Sequence, residues 1–298
     1  MTIDALRPDF VPDIPLKFTK AIASGTWTFP SVTSIQIGLY PHEHGAVAHN
    51  DPNDGEALAL PKQYDGSLTL PAFLGQAGFD TYLGAGFINP FLALQGWFET
   101  HRVYGDADAE TIITDYQDWR TSRERTYAYL QLSGLHAPIE PPAEYARKNG
   151  VDGSLDGLSS LEKYANNFEE APSDWREQRL SLYQVALEYI EDILQKIISD
   201  LMNDTLLIVI GDHGEGCGNT TSWINSSLIL GRSTALDTGK LHMIARVPAA
   251  IRHPNRDLNA SERGCLSGRD LPKTVSSGLG IEDSSFGGMS WFEAILLC

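Results

Sequence analysis

The chain has 298 residues, 42% of them apolar, with 22 basic and 39 acidic side chains and a formal charge of −17. The apolar share supports a packed core and excludes a disordered chain, while the length suits one large α/β domain or two ordinary ones. Such an acidic surface disfavours nucleic acid and anionic membrane as partners, and it suits solubility at high salt. An anionic ester would then need a local positive centre, such as a metal ion, to be held. No apolar run approaches the ~20 residues of a membrane span, and the opening "MTIDALRPDF" lacks the basic-then-apolar pattern of a secretory leader. Three cysteines, Cys217, Cys265 and Cys298, match no zinc spacing and no disulfide framework, so a reducing, cytoplasmic setting is expected.

In chain order, "MTID" reads as the end of a buried strand whose beginning is missing. "PSVTSIQIGL" follows Pro30, which suits a first helical turn, and the helix should stop near Gly38. "PHEHG" reads as a structural turn after it. A helix is predicted over 69–77 with Gly78 as its stop, then a short strand at Thr81–Leu83. Ile112, Ile113, Tyr116 and Trp119 fall at helical spacing in 110–124, and "RTYAYLQLS" (125–133) has strand composition. Three prolines in "GLHAPIEPPAEY" forbid regular structure there. Residues 149–172 read as a surface excursion, and 46–66 as another loop. Residues 173–201 form the clearest helix, with Ser173 as its expected cap and a stripe of Tyr183, Leu187, Ile190, Leu194 and Ile197. "DTLLIVIGDHGEG" contains a continuous apolar strand suited to the middle of a sheet. A strand over 242–254 and a short helix over 268–281 close the pattern. Strands alternate with helices, which points to a helix-covered, mostly parallel sheet. Trp97, Trp119, Trp175 and Trp291 are read as packing groups, and Cys217 as an inert thiol.

Ligands of open α/β sheets sit outside the carboxyl ends of strands. Two strands here end in acids: Asp4, and Asp212 followed at once by His213. Either each acid caps the next turn, or the three converge on a divalent cation. Thr28 stands beside the helix start at Pro30, where unpaired N–H groups make an anion site. Either it satisfies that helix end, or its hydroxyl attacks phosphorus or sulfur.

Six stretches carry a resemblance: "DALRPD" (4–9), "GTWTFPSVTSIQIGLYPHEHG" (25–45), "GFDTYLGAG" (78–86), "LQLSGLHAPIEPP" (130–142), "VIGDHGEG" (209–216) and "TGKLHMIARVPAAIR" (238–252). In these the chain resembles the sulfatases, within the alkaline phosphatase superfamily, and looks most like their halophilic-archaeal members. The resemblance implies an α/β three-layer sandwich around a central mixed, mostly parallel sheet, here one domain over 1–298 that is shortened at both ends. It implies one divalent cation held by Asp4, Asp212 and His213, with calcium or magnesium ahead of zinc or manganese. It puts Thr28 at the nucleophile position and His136 of "LHAP" against the ester.

The chain also departs from the family pattern. Thr28 cannot become formylglycine as Cys or Ser would. Val32 replaces the motif's arginine, Gly86 an expected lysine, Asp237 a His or Lys, and Ala5 a second Asp. Lys240 is the candidate to replace one lost cation at the substrate. The implied activity is hydrolysis of a sulfate ester, on a small anionic ester or a sulfated sugar. The alternatives are cleavage of phosphodiester or phosphonate esters, and a silent member that binds metal or an anion without turnover.

Overall fold

The structure, a computed structural model, describes residues 1–51, 55–62, 69–105, 107–136, 138–151, 172–201, 204–215, 245–255, 266–281 and 285–294. Its main sheet is built from β1 (Thr2–Ile3), β2 (Phe18–Ile22), β5 (Asp80–Ala85), β6 (Thr100–Val103), β7 (Thr126–Leu132), β8 (Leu207–Gly211), β9 (Arg246–Arg252) and β10 (Leu266–Ser267). The order across it is β10-β2-β9-β8-β1-β7-β5-β6. β9 is antiparallel to both its neighbours, and every other pair is parallel. β3 (Val47–Asp51) and β4 (Gly55–Ala59) form a separate antiparallel pair. Within the stretch 46–66, expected as a loop, the described residues 47–51 and 55–59 are therefore paired strands.

Strand pleating explains the layering. Successive residues of a strand face opposite sides. Tyr82, Leu130 and Val209 pack into one core with α5 (Ala109–Arg120) and the long α7 (Trp175–Asp200). Their neighbours Leu83, Tyr129 and Ile210 pack into the other core, with α1 (Thr28–Ile37) and α4 (Ile88–Leu94). Apolar residues on both faces make these strands read as continuous apolar runs, and the result is the expected helix–sheet–helix sandwich. Trp97, Trp175 and Trp291 are buried and Trp119 is partly so, each within or against a core.

The shorter helices are α2 (Pro41–His44), α3 (Leu70–Gln76), α6 (Ala143–Lys148), α8 (Leu271–Gly278) and α9 (Trp291–Ala294). Gly38 ends α1 in the left-handed conformation at φ 74°, and Gly78 follows α3 at φ 83°, so both stop signals read from sequence are physical stops. The expected Ser173 cap is not used: α7 begins at Trp175 after Asp174, which makes no side-chain cap bond. The helix needs little help there, because its apolar stripe is buried against the sheet.

The turn after α1 is held by a buried histidine. His44 Nδ1 accepts from the Ala46 N–H at 2.9 Å, so Nε2 carries the proton and meets Ser34 Oγ at 3.1 Å. Burial pushes the imidazole down to about 4 from an ordinary 6.5. Between pH about 4 and 6.5 the neutral form is thus favoured only in the folded chain. The stability it contributes is complete above pH ~6.5 and is lost as pH falls toward 4. In denaturant titrations across that range, His44→Gln should remove this part of the slope; an identical slope in the variant would contradict the assignment.

Candidate metal and ester site

Register brings the acids together. β1 and β8 are parallel neighbours with Ile3 opposite Gly211, so the next residues, Asp4 and Asp212, emerge side by side. β7 lies on the other flank of β1, with Leu132 opposite Ile3, and its loop carries His136 to the same edge. β2 also runs in this direction, and its loop delivers the start of α1. One edge of the sheet thus collects side chains separated by up to ~200 positions of sequence, as carboxyl ends of parallel strands do.

Asp4 and Asp212 are fully buried, and Thr28 and His213 nearly so. Ligand-type atoms of Asp4, Asp212 and His213 all lie within 4.8 Å of one another. His213 Nε2 is 3.1 Å from Asp4 Oδ1 and 3.8 Å from Asp212 Oδ2. Thr28 Oγ1 is 3.2 Å from His213 Nε2 and donates to Asp4 Oδ2 at 3.3 Å. Thr28 is itself the first residue of α1, one turn position further in than the sequence suggested. Trp27 precedes it without a side-chain cap bond, so the Thr28 and Phe29 N–H groups have no partner within the helix. His136 stands next to the cluster, its ring 6.3 Å from that of His213 and edge-on to it.

The residues fit a cation. His213 Nδ1–H donates to the Gly214 carbonyl at 2.8 Å, which turns Nε2 toward the two carboxylates. Burial disfavours charge on His213, yet the carboxylates of Asp212 and Asp4 outweigh it and push the imidazole up to about 10. Burial and the charge of Asp4 push Asp212 up to about 6. Burial also opposes ionisation of Asp4, but the hydrogen bond and charge of His213 hold it below the ordinary carboxylate range. Without a cation, a proton on His213 balances the acids; a divalent ion would do so with more charge.

Several residues that sequence reasoning missed support the cluster. Gln131 Nε2 donates to Asp212 Oδ2 at 3.0 Å, and Gln131 Oε1 accepts from Tyr129 OH at 2.7 Å. Ser31 Oγ donates to the Asp212 carbonyl at 2.6 Å and pins the first turn of α1. Ala5 adopts φ 58°, and its N–H donates to Asp212 Oδ1 at 3.2 Å. Tyr183 OH donates to the Ala5 carbonyl and accepts from the Arg7 N–H. Buried Arg7 pairs with Asp9 and donates to the Glu215 carbonyl, tying the loop after β1 to the loop after β8. The available signal was a polar residue inside an apolar strand, Gln131 in "YAYLQL".

The departures have structural content. Val32 is fully buried in the apolar core on the α1 side. At Gly86 an added Cβ would lie 2.6 Å from Ser133 Oγ and 2.9 Å from the Ala107 carbonyl, so no larger side chain fits without a shift. Lys240, Asp237 and Cys217 lie outside the described residues. The cluster of Asp4, Asp212 and His213 is the single such group among the described residues; His42 and His44 take no part in it.

Gly86→Ala should destabilise the fold by about 1–3 kcal/mol through overpacking, as denaturant unfolding would show; an unchanged midpoint would mean that the strand end yields freely. Gln131→Leu should weaken divalent-ion affinity by about 10–100-fold with the far-ultraviolet spectrum retained. Calorimetric titration with Ca²⁺, Mg²⁺ and Mn²⁺ checks this, and equal affinities would remove Gln131 from the support of the site.

The sulfatase family model matches residues 13–262. No curated protein matches the sequence. Solved structures share the fold at low identity. A phosphonate monoester hydrolase from Silicibacter pomeroyi is 16% identical, with TM-score 0.64, covering 96% of this chain and 74% of its own. The lipoteichoic acid synthase LtaP from Listeria monocytogenes is 13% identical, with TM-score 0.60 and coverage of 96% and 73%. A 2-O GAG sulfatase, BT1596, is 11% identical, with TM-score 0.60 and coverage of 97% and 72%. The family match spans most of the chain, and the alkaline phosphatase-like sandwich agrees with it: this chain belongs to the sulfatase family.

Proposed function

We propose that the protein is a metal-dependent hydrolase of sulfuric esters in which Thr28 is the nucleophile. The observation that carries this reading is the Thr28 hydroxyl, within 3.3 Å of both Asp4 and His213 at the start of α1. Asp4, Asp212 and His213 would hold one divalent ion. The family resemblance puts Ca²⁺ or Mg²⁺ ahead of Zn²⁺ or Mn²⁺, and two carboxylates are a hard donor set compatible with that choice. When bound, such an ion lowers the pKa of a neighbouring hydroxyl and offsets charge on the ester's non-bridging oxygens.

The chain's own groups supply the rest. Asp4 accepts the hydrogen of Thr28 Oγ1 and is placed to take its proton. The oxygen attacks sulfur as the bond to the leaving alcohol breaks, and the first-turn amides of α1 receive the sulfuryl oxygens. His136 delivers a proton to the departing oxygen. Water then hydrolyses the threonine sulfate and returns the hydroxyl. A cavity of about 770 Å³ beside His136 and Gly134 gives the leaving group room, which suits a small ester or a sulfated sugar of the kind named for the GAG sulfatase. Lys240 is assigned to the substrate's charge.

A second reading, cleavage of a phosphonate or phosphodiester, is favoured by the threonine itself and by the likeness to a phosphonate monoester hydrolase. Turnover of 4-nitrophenyl sulfate should be abolished by chelator and restored by Ca²⁺ or Mg²⁺. Thr28→Val, which keeps the side-chain shape, should lower kcat by about three orders of magnitude or more while leaving metal binding in place. A preference for bis(4-nitrophenyl) phosphate or phenylphosphonate esters would move the assignment to the second reading. Metal binding without turnover of any of these would identify a silent member.

A further inference from the structure

Four segments meet in the cavity of about 770 Å³ beside His136. Phe87 stands just ahead of α4, and Tyr104 just after β6 in the segment that leads to Asp108, the cap of α5. Glu140 belongs to the proline-rich loop after β7, and Tyr189 to α7. Two backbone bonds fasten the first two segments together: the Tyr104 N–H donates to the Ala85 carbonyl and the Ala107 N–H to the Gly86 carbonyl, both at 3.1 Å. His136 is common to this cavity and to the metal and ester site, with its ring 5.9 Å from that of Phe87 and 6.3 Å from that of His213. A leaving group departing past His136 therefore enters this space.

The lining is electrically one-sided. Among the described residues it contains two carboxylates, Asp108 and Glu140, and no lysine or arginine. Both acids are exposed, whereas Phe87 and Tyr104 are half-buried and Tyr189 is buried. Aromatic surface thus lies within, and negative charge at the rim. Both tyrosines are anchored: Tyr104 OH donates to Asp115, and Tyr189 OH donates to Asp108 Oδ2 at 3.0 Å. Asp108 Oδ1 accepts from the Thr111 N–H at 2.9 Å. Burial opposes charge on Asp108, yet these bonds hold its carboxyl below the ordinary range, so it is ionised at neutral pH. Aromatic faces and carboxylates both attract an organic cation. The same carboxylates repel a second sulfate, phosphate or carboxylate, and a neutral group would gain from the rings alone.

We propose that this cavity is a subsite for an organic cation, so that the ester it serves has a leaving alcohol or phenol bearing an ammonium group. The part of the cavity in turnover rests on the hydrolase reading given above; its binding of the cation does not.

Three aryl sulfates that differ only at the para position separate charge from size: trimethylammonio, tert-butyl and carboxylate. The ratio of kcat/KM for the ammonio ester to that for the carboxylate ester should fall about threefold in Asp108→Asn and about tenfold when Glu140→Gln is added. Asparagine preserves the α5 cap, and comparing ratios between proteins cancels the intrinsic reactivity of each leaving group. The same ratio in wild type and double variant would overturn the proposal, as would an equal loss for the ammonio and tert-butyl esters. Phenyltrimethylammonium, with no ester, gives a readout independent of chemistry. Calorimetric titration into the Mg²⁺-loaded protein should show its binding, weakened about tenfold in the double variant. Such binding without turnover of any sulfate ester would uphold the subsite and remove the hydrolase reading. Turnover without such binding would uphold the hydrolase reading and overturn the subsite.

Discussion

Two carboxylates held side by side in a dry interior are the constraint on which the site depends. Asp4 and Asp212 have no exposure, and their ligand-type atoms lie within 4.8 Å. At that separation two like charges repel by about 3 kcal/mol even with an effective dielectric near 20. Burial adds to the cost, so the pair persists only with positive charge between the acids. His213 is placed to share that charge or to coordinate whatever supplies it. Parallel pairing of two strands imposes the arrangement, because the register of β1 on β8 fixes where both chains leave the sheet.

The surroundings keep the acids from relaxing. A side-chain relay from Tyr129 through Gln131 fixes one oxygen of Asp212, and backbone amides of Ala5 and His213 fix the other. Ala5 can present its amide only in the left-handed region, a conformation that costs an ordinary residue about 1 kcal/mol or more. Tyr183, from the helix layer, grips the same turn through the Ala5 carbonyl. The distant α7 is thereby mechanically part of the site, although it contributes no group to the chemistry.

Much of this was legible in the residues. A continuous apolar run ending in Asp-His read as an interior strand with ligand-type groups at its carboxyl end, and Pro30 marked a helix start just after Thr28. The sandwich followed from strand and helix alternation. What escaped was set by tertiary packing. Gln131 stands out as a polar residue in an apolar strand, but its partner is not legible until Asp212 lies beside it, and Ala5 gives no sequence sign of its left-handed backbone. Ser173 looked like a cap, yet α7 starts beyond it because burial of the helix stripe outweighs a single cap bond. The pairing of β3 and β4 was hidden by polar, turn-forming residues that read as loop.

The packing around Gly86 and Val32 bears on how this chain can change. A cation at 86 would need the loop after β7 and the segment at Ala107 to retreat together. A guanidinium at 32 would enter an apolar core with its charge unmatched. Neither route back to a more cationic pocket is a single substitution, so selection acting one codon at a time would meet less resistance in the outer loops than in the framework.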